Sequence, residues 1–367
     1  MRVLLLGPYP PPWGGVQTNI VALRDFMRRR GMTCAVVNLT RYQRVDADGV
    51  YYPRTGIEVV RLLLRLRYDV IHIHIGGNLS TRLLVLSLVC SMLPWAKVVL
   101  TFHSGGYPRS AEGRRHRRFS LRDFVLRRFD RQIAVNQELV AFFHRVGCAP
   151  PGVRLIPPHA VPRGTVVELA TADLPPVLGR FVAEHDPLVV SVSGLEPEYD
   201  IPLQLEALAA VRKRHPKAGL FVVGSGSLEA DLRALVSSKS DREHILLTGD
   251  LPHAITLSAV ARSDLFLRTT HYDGDAISVR EALWLGIPVI ATDNGMRPTG
   301  VRLVPVGEVD ALTRAMLEQL AQPRGARPDP AVAGARQTGD ENLETTLLLY
   351  RELLQQPASS SMCDVKE

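Results

Sequence analysis

Short continuous apolar runs alternate along this chain with longer stretches of helical period. The runs Val3–Leu6, Cys34–Asn38, Val70–Ile75, Val98–Phe102, Gln132–Val135 and Val153–Ile156 read as buried strands. Between them the apolar spacing predicts helices over Gln17–Arg30, Val59–Arg67, Leu79–Leu93, Ser120–Phe129 and Gln137–Val146. Pro157-Pro158, Pro162 and Pro175-Pro176 then break the rhythm. A second series follows, with strands at Leu188–Ser193, Gly219–Val223, Ile245–Thr248, Leu265–Leu267 and Val289–Ala291. Its helices fall at Pro202–Arg214, Leu228–Val236, Ala254–Arg262, from Ala276–Ser278 to Gly286, and Asp310–Leu320. Strands that are apolar throughout and alternate with helices predict parallel sheets covered on both faces. The expected organisation is a doubly wound α/β domain over 1–160, a linker over 161–186 and a second such domain over 187–340. A last helix over 341–356 is expected to return to the first domain, with a disordered polar tail over 357–367.

Composition narrows the class. With 46% hydrophobic and 22% charged residues, the 367-residue chain suits two globular domains and excludes wholesale disorder. The apolar run in MRVLLLGPYPPP is too short for the core of a signal peptide, and Leu83–Leu93 is too short to span a bilayer. Cys34, Cys90, Cys148 and Cys363 lack paired-ligand spacing and read as reduced thiols of a cytoplasmic protein.

Charge is uneven. Residues 1–160 hold 24 Lys and Arg against 9 Asp and Glu, a net of +15; the remainder holds 20 against 28, a net of −8. The densest run, Arg109 to Arg131, contains Arg114, Arg115, Arg117, Arg118, Arg122, Arg127 and Arg128. Such a half points to a polyanion, with an anionic membrane surface or a lipid diphosphate preferred. Few aromatics interleave the run and no nucleic-acid-binding motif accompanies it, so nucleic acid is not expected. An ordinary solvated arginine-rich surface is the plain alternative.

The stretch Leu265–Pro298 carries the most chemistry. A loop entering a helix N-terminus aims unpaired N–H groups and a positive dipole end at whatever lies above it, which favours phosphate. Asp273 stands just before that helix and Glu281 inside it, so one ligand could touch both. Asp275 also reads as a helix cap. Asp273-Gly274-Asp275 matches a metal-binding DxD triplet, yet it opens a helix late in a doubly repeated chain, and no metal is expected there. His72 and His74 alternate on one strand and share a face, with His74 nearer the strand's end. His103 ends the next strand beside Gly105-Gly106.

Taken together, GPYPPPWGGVQTNIVALRDFMRRRGMTCAVV, YDVIHIH, VVLTFHSGG, GSGSLEADLRAL and DGDAISVREALWLGIPVIATD occur in an order that resembles the family 4 glycosyltransferases over about residues 1–320. The resemblance implies the GT-B fold, two facing Rossmann-like domains with an interdomain cleft. It implies sugar transfer with retention from a nucleotide-diphosphate donor, without a metal or other cofactor; the acceptor is expected to be a growing glycan, lipid-linked. It also implies roles: Glu281 on the ribose hydroxyls, and Asp273 with the backbone of Gly274, Asp275, Ala276 and Ile277 on the donor sugar and diphosphate. His103 would lie near the reaction centre, and Gly15 would let backbone approach the diphosphate without a Cβ.

Three departures qualify the resemblance. Asp273 stands where the family usually has Glu; Gly194 and Tyr199 stand where it has a phosphate-gripping Arg and Lys; and the strand before the acidic loop ends in Arg268-Thr269-Thr270, where small polar or proline residues are common, while the next loop carries Arg297-Pro298. Arg268 and Arg297 are expected to take over the phosphate charge, in a pattern resembling a bacterial polysaccharide-assembly subgroup. The reading is a cytoplasmic transferase, peripheral on the inner face of the cell membrane. A sugar-nucleotide epimerase of the same fold, and a degenerate transferase that scaffolds an active partner, are the competing classes.

Overall fold

The computed structural model describes residues 1–11, 13–40, 46–115, 120–158, 173–273, 276–295, 297–322 and 340–355. The chain divides into two compact units. The first comprises Met1–Pro11, Asn19–Pro157 and Asp340–Glu367; the second comprises Pro12–Thr18 and Pro158–Gly339. The tail expected over 357–367, and most of the loop expected before the last helix, lie outside the described residues.

The first unit is built on a sheet of seven parallel strands: β1 (Arg2–Gly7), β2 (Thr33–Asn38), β3 (Val50–Tyr51), β4 (Val70–Ile75), β5 (Lys97–Phe102), β6 (Arg131–Ala134) and β7 (Val153–Leu155), in the order β3-β2-β1-β4-β5-β6-β7. Side chains alternate across the pleat. Leu4, Leu6, Ile71, Ile73, Leu100 and Phe102 therefore share one face with Val59, Leu63, Leu84 and Val125 of the helices Gly56–Leu66, Thr81–Ser91 and Leu121–Leu126. His72 points to the other face, where its Nδ1 meets the hydroxyl of Tyr350 on the helix Glu341–Gln355 and its Nε2 lies 2.7 Å from Thr101 Oγ1. The last helix thus belongs to the first unit, and Arg29–Asp340 and Arg30–Glu344 ion pairs add to its attachment. Both nitrogens of His72 are satisfied in a dry interior, so the residue is packed.

The second unit has six parallel strands: β8 (Leu188–Val192), β9 (Gly219–Val223), β10 (Ile245–Gly249), β11 (Leu265–Arg268), β12 (Val289–Thr292) and β13 (Val301–Val304), in the order β10-β9-β8-β11-β12-β13. One core lies on each face, around Leu208 and Leu312 on one and around Phe221, Phe266 and Val279 on the other. The order runs outward in opposite directions from β8 and β11, so the crevice beyond their carboxyl ends is the topological switch point where doubly wound sheets bind ligands. These sheets and their all-parallel pairing are those the hydrophobic pattern predicts. Three elements among those that escape that pattern bear on the sheets and the linker. β3 is two residues long, β13 carries Arg302 among its apolar residues, and Pro176–Glu184, within the span read as linker, is a helix. Pro176 is tolerated because it stands at the first helical position, where the N–H has no intrahelical partner. Leu178 and Phe181 of that helix are buried in the second core.

Burial pushes His72 down to about 3 and holds His74 well below the usual histidine range. The unfolded chain therefore binds protons that the native first unit refuses, so stability is intact above about pH 6.5 and falls as pH drops toward the folded value. From His72 alone, about 2 kcal/mol is lost by pH 5. Urea unfolding followed between pH 7 and 5 checks this, with the parent losing stability over that interval and His72→Asn losing less.

Candidate active site at the second switch point

β11 delivers Arg268 to the switch point, and the turn after it brings Thr270 and Asp273 back over the strand end. Asp273 Oδ2 accepts from Arg268 Nε at 2.9 Å and Nη2 at 2.8 Å, and from Arg297 Nη1 at 3.1 Å. Arg268 Nη1 donates to the Val192 carbonyl at the end of β8, at 2.7 Å. Arg297 Nη2 donates to Thr270 Oγ1 at 2.6 Å and its Nε to the Thr292 carbonyl at 3.1 Å. The two side chains are only 8% and 2% exposed. Counted over Arg268, Asp273 and Arg297 alone, among the described residues, two guanidinium groups and one carboxylate carry +1, held where water screens poorly.

Tyr199 completes the arrangement. Its ring lies under Arg268, with the guanidinium carbon 4.8 Å from the ring centroid, a cation–π geometry. The ring fits because residue 194 is glycine: a Cβ there would stand 3.1 Å from Tyr199 Cε2. Gly194, Tyr199 and Arg268 are thus one packing solution. The loop carrying Tyr199 is tied to β11 by Thr269 Oγ1, which donates to the Tyr199 carbonyl at 2.8 Å.

The helix Ile277–Trp284 starts beside this cluster. Its N-cap, Ala276, supplies no side-chain hydrogen bond to the first turn. Ser278 Oγ donates at 3.3 Å to the same Val192 carbonyl that receives Arg268, which sets the guanidinium against the first turn. The other end is closed by a Schellman motif: Ile287 N–H bonds Ala282 O, Gly286 N–H bonds Leu283 O, and Gly286 takes a φ of 73°. Gly274 and Asp275 lie outside the described residues.

Glu281, one turn further into the helix, is buried and has a different partner. Its Oε1 lies 2.7 Å from His253 Nε2. Burial lowers the pKa of His253, but the hydrogen bond and charge of Glu281 outweigh it, and the net direction is up. Trp13 stacks on His253 with ring centroids 5.5 Å apart. Gly15 follows in the same segment of the second unit, where an added Cβ would meet Ile277 Cδ1 at 3.6 Å, an ordinary contact.

The structure therefore brings Arg268, Asp273 and Arg297 together, sets Ala276 and Ile277 beside them, and gives Glu281 its own partner. It turns the two arginines inward onto Asp273, where the sequence suggested cations free to grip phosphate. His103 belongs to the first unit and follows β5, with Nε2 3.1 Å from His74 Nδ1 and burial holding it at about 3, hence neutral. Two partners escaped the sequence reading, His253 and Tyr199. Each contacts a residue far away in the chain, and neither sits in a motif that announces the contact.

These features define the class: a doubly wound two-unit α/β protein of the GT-B fold, with a positively charged ligand crevice at a strand-end switch point. The model for glycosyltransferase family 4 matches residues 13–160 and that for glycosyl transferases group 1 matches residues 180–325. The chain belongs to the family 4 glycosyltransferases. Over 160 residues it is 30% identical to the GDP-mannose-dependent alpha-(1-6)-phosphatidylinositol monomannoside mannosyltransferase of Mycolicibacterium smegmatis, covering 40% of this chain and 42% of that protein. It is 27% identical over 167 residues to the amylovoran biosynthesis glycosyltransferase AmsK of Erwinia amylovora, covering 42% of this chain and 40% of the relative. These matches span about two fifths of the relatives' length. Among solved structures, Anabaena HepE in complex with UDP-glucose has a TM-score of 0.68 at 17% identity, covering 96% of this chain and 99% of that one. The catalytic domain of starch synthase IV from Arabidopsis thaliana, bound to ADP and acarbose, has a TM-score of 0.69 at 12% identity, covering 97% and 100%. At these identities the likeness shows the fold.

Asp273→Asn removes the carboxylate that Arg268 and Arg297 share among the described residues, and is expected to cost about 3–5 kcal/mol. Glu281→Gln, which keeps an oxygen for His253, is expected to cost far less. Differential scanning calorimetry of both variants against the parent measures the contrast.

Proposed function

We propose that this protein is a retaining glycosyltransferase that moves a sugar from a nucleotide-diphosphate donor to a lipid-linked glycan, in polysaccharide or glycoconjugate biosynthesis. The observation that carries the reading is the Arg268–Asp273–Arg297 cluster set against the N-terminus of the helix Ile277–Trp284 at the switch point. Breaking the bond between the anomeric carbon and the diphosphate leaves negative charge on the departing oxygen. A fixed positive field there stabilises the transition state more than the ground state. The buried guanidinium groups act through that field, while the first-turn amides at Ala276 and Ile277 supply the direct contacts. Glu281 takes the ribose hydroxyls, and the neutral His103 is the first unit's proposed catalytic residue. Asp273 sets the positions of both arginines and orients the sugar through its remaining oxygen. Gly15 brings backbone amides to the diphosphate. The residues named supply all the required charge, so the proposed reaction runs without a metal ion.

The relatives named above support the donor and acceptor classes. One is GDP-mannose-dependent and acts on a phosphatidylinositol monomannoside, one serves amylovoran biosynthesis, and HepE binds UDP-glucose. No helix among the described residues is long and apolar enough to cross a membrane. A lipid-linked acceptor therefore implies approach from the surface, as a peripheral protein on the inner face of the cell membrane. The scaffold alternative rested on Gly194 and Tyr199. Their packing around Arg268 supports a rebuilt site over a decayed one.

A thermal-shift screen of UDP, GDP, ADP and their sugar conjugates, in EDTA, tests the reading. One diphosphate should raise the melting temperature of the parent, and Glu281→Ala should lose that shift while remaining folded. No shift with any nucleotide would favour the scaffold. Once a donor is found, NMR of the first-formed product should show the anomeric configuration of the donor.

A further inference from the structure

The arginine run that drew attention in the sequence is largely spent inside the first unit. Arg109 pairs with Glu138, Arg114 Nε donates to the Arg109 carbonyl at 2.7 Å, and Arg122 binds the buried Asp123 and two backbone carbonyls. Arg117 and Arg118 lie outside the described residues. Arg127 and Arg128 stay exposed and adjoin further exposed arginines on two preceding helices. The helices Gly56–Leu66, Thr81–Ser91 and Leu121–Leu126 form one layer, because their inner residues enter the same core against the same face of the sheet.

The outer surface of that layer has an unusual composition. Ile57, Leu64, Val85, Met92, Leu121 and Phe124 are between 45% and 68% exposed. Interleaved with them are the exposed Arg61, Arg65, Arg82, Arg127 and Arg128. No exposed residue of the three helices is acidic; Glu58 is half-buried and accepts from the Arg54 backbone N–H at 2.7 Å. At the edge, Arg67 lies over the Trp95 ring at 5.3 Å and Arg128 over Phe124 at 5.9 Å.

We propose that this three-helix face is the surface by which the protein docks on an anionic membrane. It deepens the membrane-associated reading above and assigns it to a face that takes only Arg127 and Arg128 from the arginine run and its other arginines from two preceding helices. Exposed apolar groups in such number mark an interaction surface. Their occupant is fixed by charge: a face with five arginines and no exposed carboxylate repels a second copy of itself and attracts anionic headgroups. The apolar side chains enter the acyl boundary while the arginines reach outward to the headgroups, and Trp95 takes the interfacial position that suits an indole.

Cosedimentation of the full chain with vesicles of phosphatidylglycerol and phosphatidylcholine, against phosphatidylcholine alone, tests the assignment without any sugar transfer. The parent should bind only the anionic vesicles, and less as salt rises. Replacing Arg61, Arg65, Arg82 and Arg128 by Gln should weaken binding roughly a hundredfold or more. Replacing Ile57, Leu64, Met92 and Phe124 by Ser should weaken it roughly tenfold or more and make the remainder more salt-sensitive. All eight residues are surface positions, so parental melting temperatures are expected; should either set fail to fold, the paired change Arg82→Gln and Met92→Ser serves, with a smaller loss of the same sign. Parental binding by the folded face variants, with loss in Arg114→Gln and Arg115→Gln, would overturn the proposal. So would absence of vesicle binding alongside a concentration-dependent dimer that the face substitutions dissolve. Either result leaves the donor reading standing, because nucleotide shifts are measured separately.

Discussion

One carboxylate oxygen, Asp273 Oδ2, holds two buried guanidinium groups, and the architecture of the second switch point follows from that sharing. Taking three charges out of water is expensive, and the attraction repays it only with close geometry and full hydrogen bonding. Both conditions are met by the ends of four elements: the Val192 carbonyl after β8, the Thr292 carbonyl at β12, Thr270 in the turn after β11, and the Tyr199 ring. Each binds a guanidinium and each is fixed by its own strand or loop. The ionic cluster thereby registers the strand ends against one another and against the first turn of the helix Ile277–Trp284. Conformational definition and a residual positive charge come from the same contacts.

That dual role explains the departures from the family pattern. An Arg and a Lys reaching from the loop after β8 would put positive charge at the surface of the crevice. Here glycine at 194 admits an aromatic ring, the ring carries Arg268, and Arg268 pairs with Asp273, whose Oδ2 also accepts from Arg297. The substitutions are intelligible only as a set. A buried cluster loses direct contact with phosphate but is screened less, so a net charge of +1 exerts a larger field per unit charge than an exposed side chain would. The first unit shows a similar economy, since the buried pair His72–Tyr350 fastens the returning C-terminal helix and His74 fixes the ring of His103.

Much of this was legible in the sequence, and the limits are physical. Strands such as Val70–Ile75 and Gly219–Val223 are apolar throughout, so their positions and parallel pairing follow from burial on both faces. The loop-helix-strand from Asp273 to Thr292 was legible because its punctuation is local: a Gly at the left-handed C′ position and a Pro just beyond it. The proximity of Arg268 and Arg297 to one crevice followed from their places after adjacent strands. What the sequence did not disclose was direction. Whether a guanidinium faces solvent or turns back onto a carboxylate depends on Thr270, Val192 and Thr292, which carry no motif. The His253–Glu281 bond is hidden for the same reason, as is the helix Pro176–Glu184, whose opening prolines read equally as a linker. Charge counting alone does not separate arginines bonded to backbone carbonyls, such as Arg114 and Arg122, from those facing outward, such as Arg61 and Arg82.

The central claim is that the buried arginine pair supplies the diphosphate field of the site. It is tested most directly by titrating a nucleoside diphosphate and its parent nucleoside, by calorimetry, into the parent protein and into Arg297→Gln, which leaves Arg268 to neutralise Asp273. The account predicts that the preference for diphosphate over nucleoside falls about tenfold or more in a variant that is still folded, with nucleoside affinity unchanged. An undiminished preference would contradict it and return the phosphate contacts to the helix N-terminus alone.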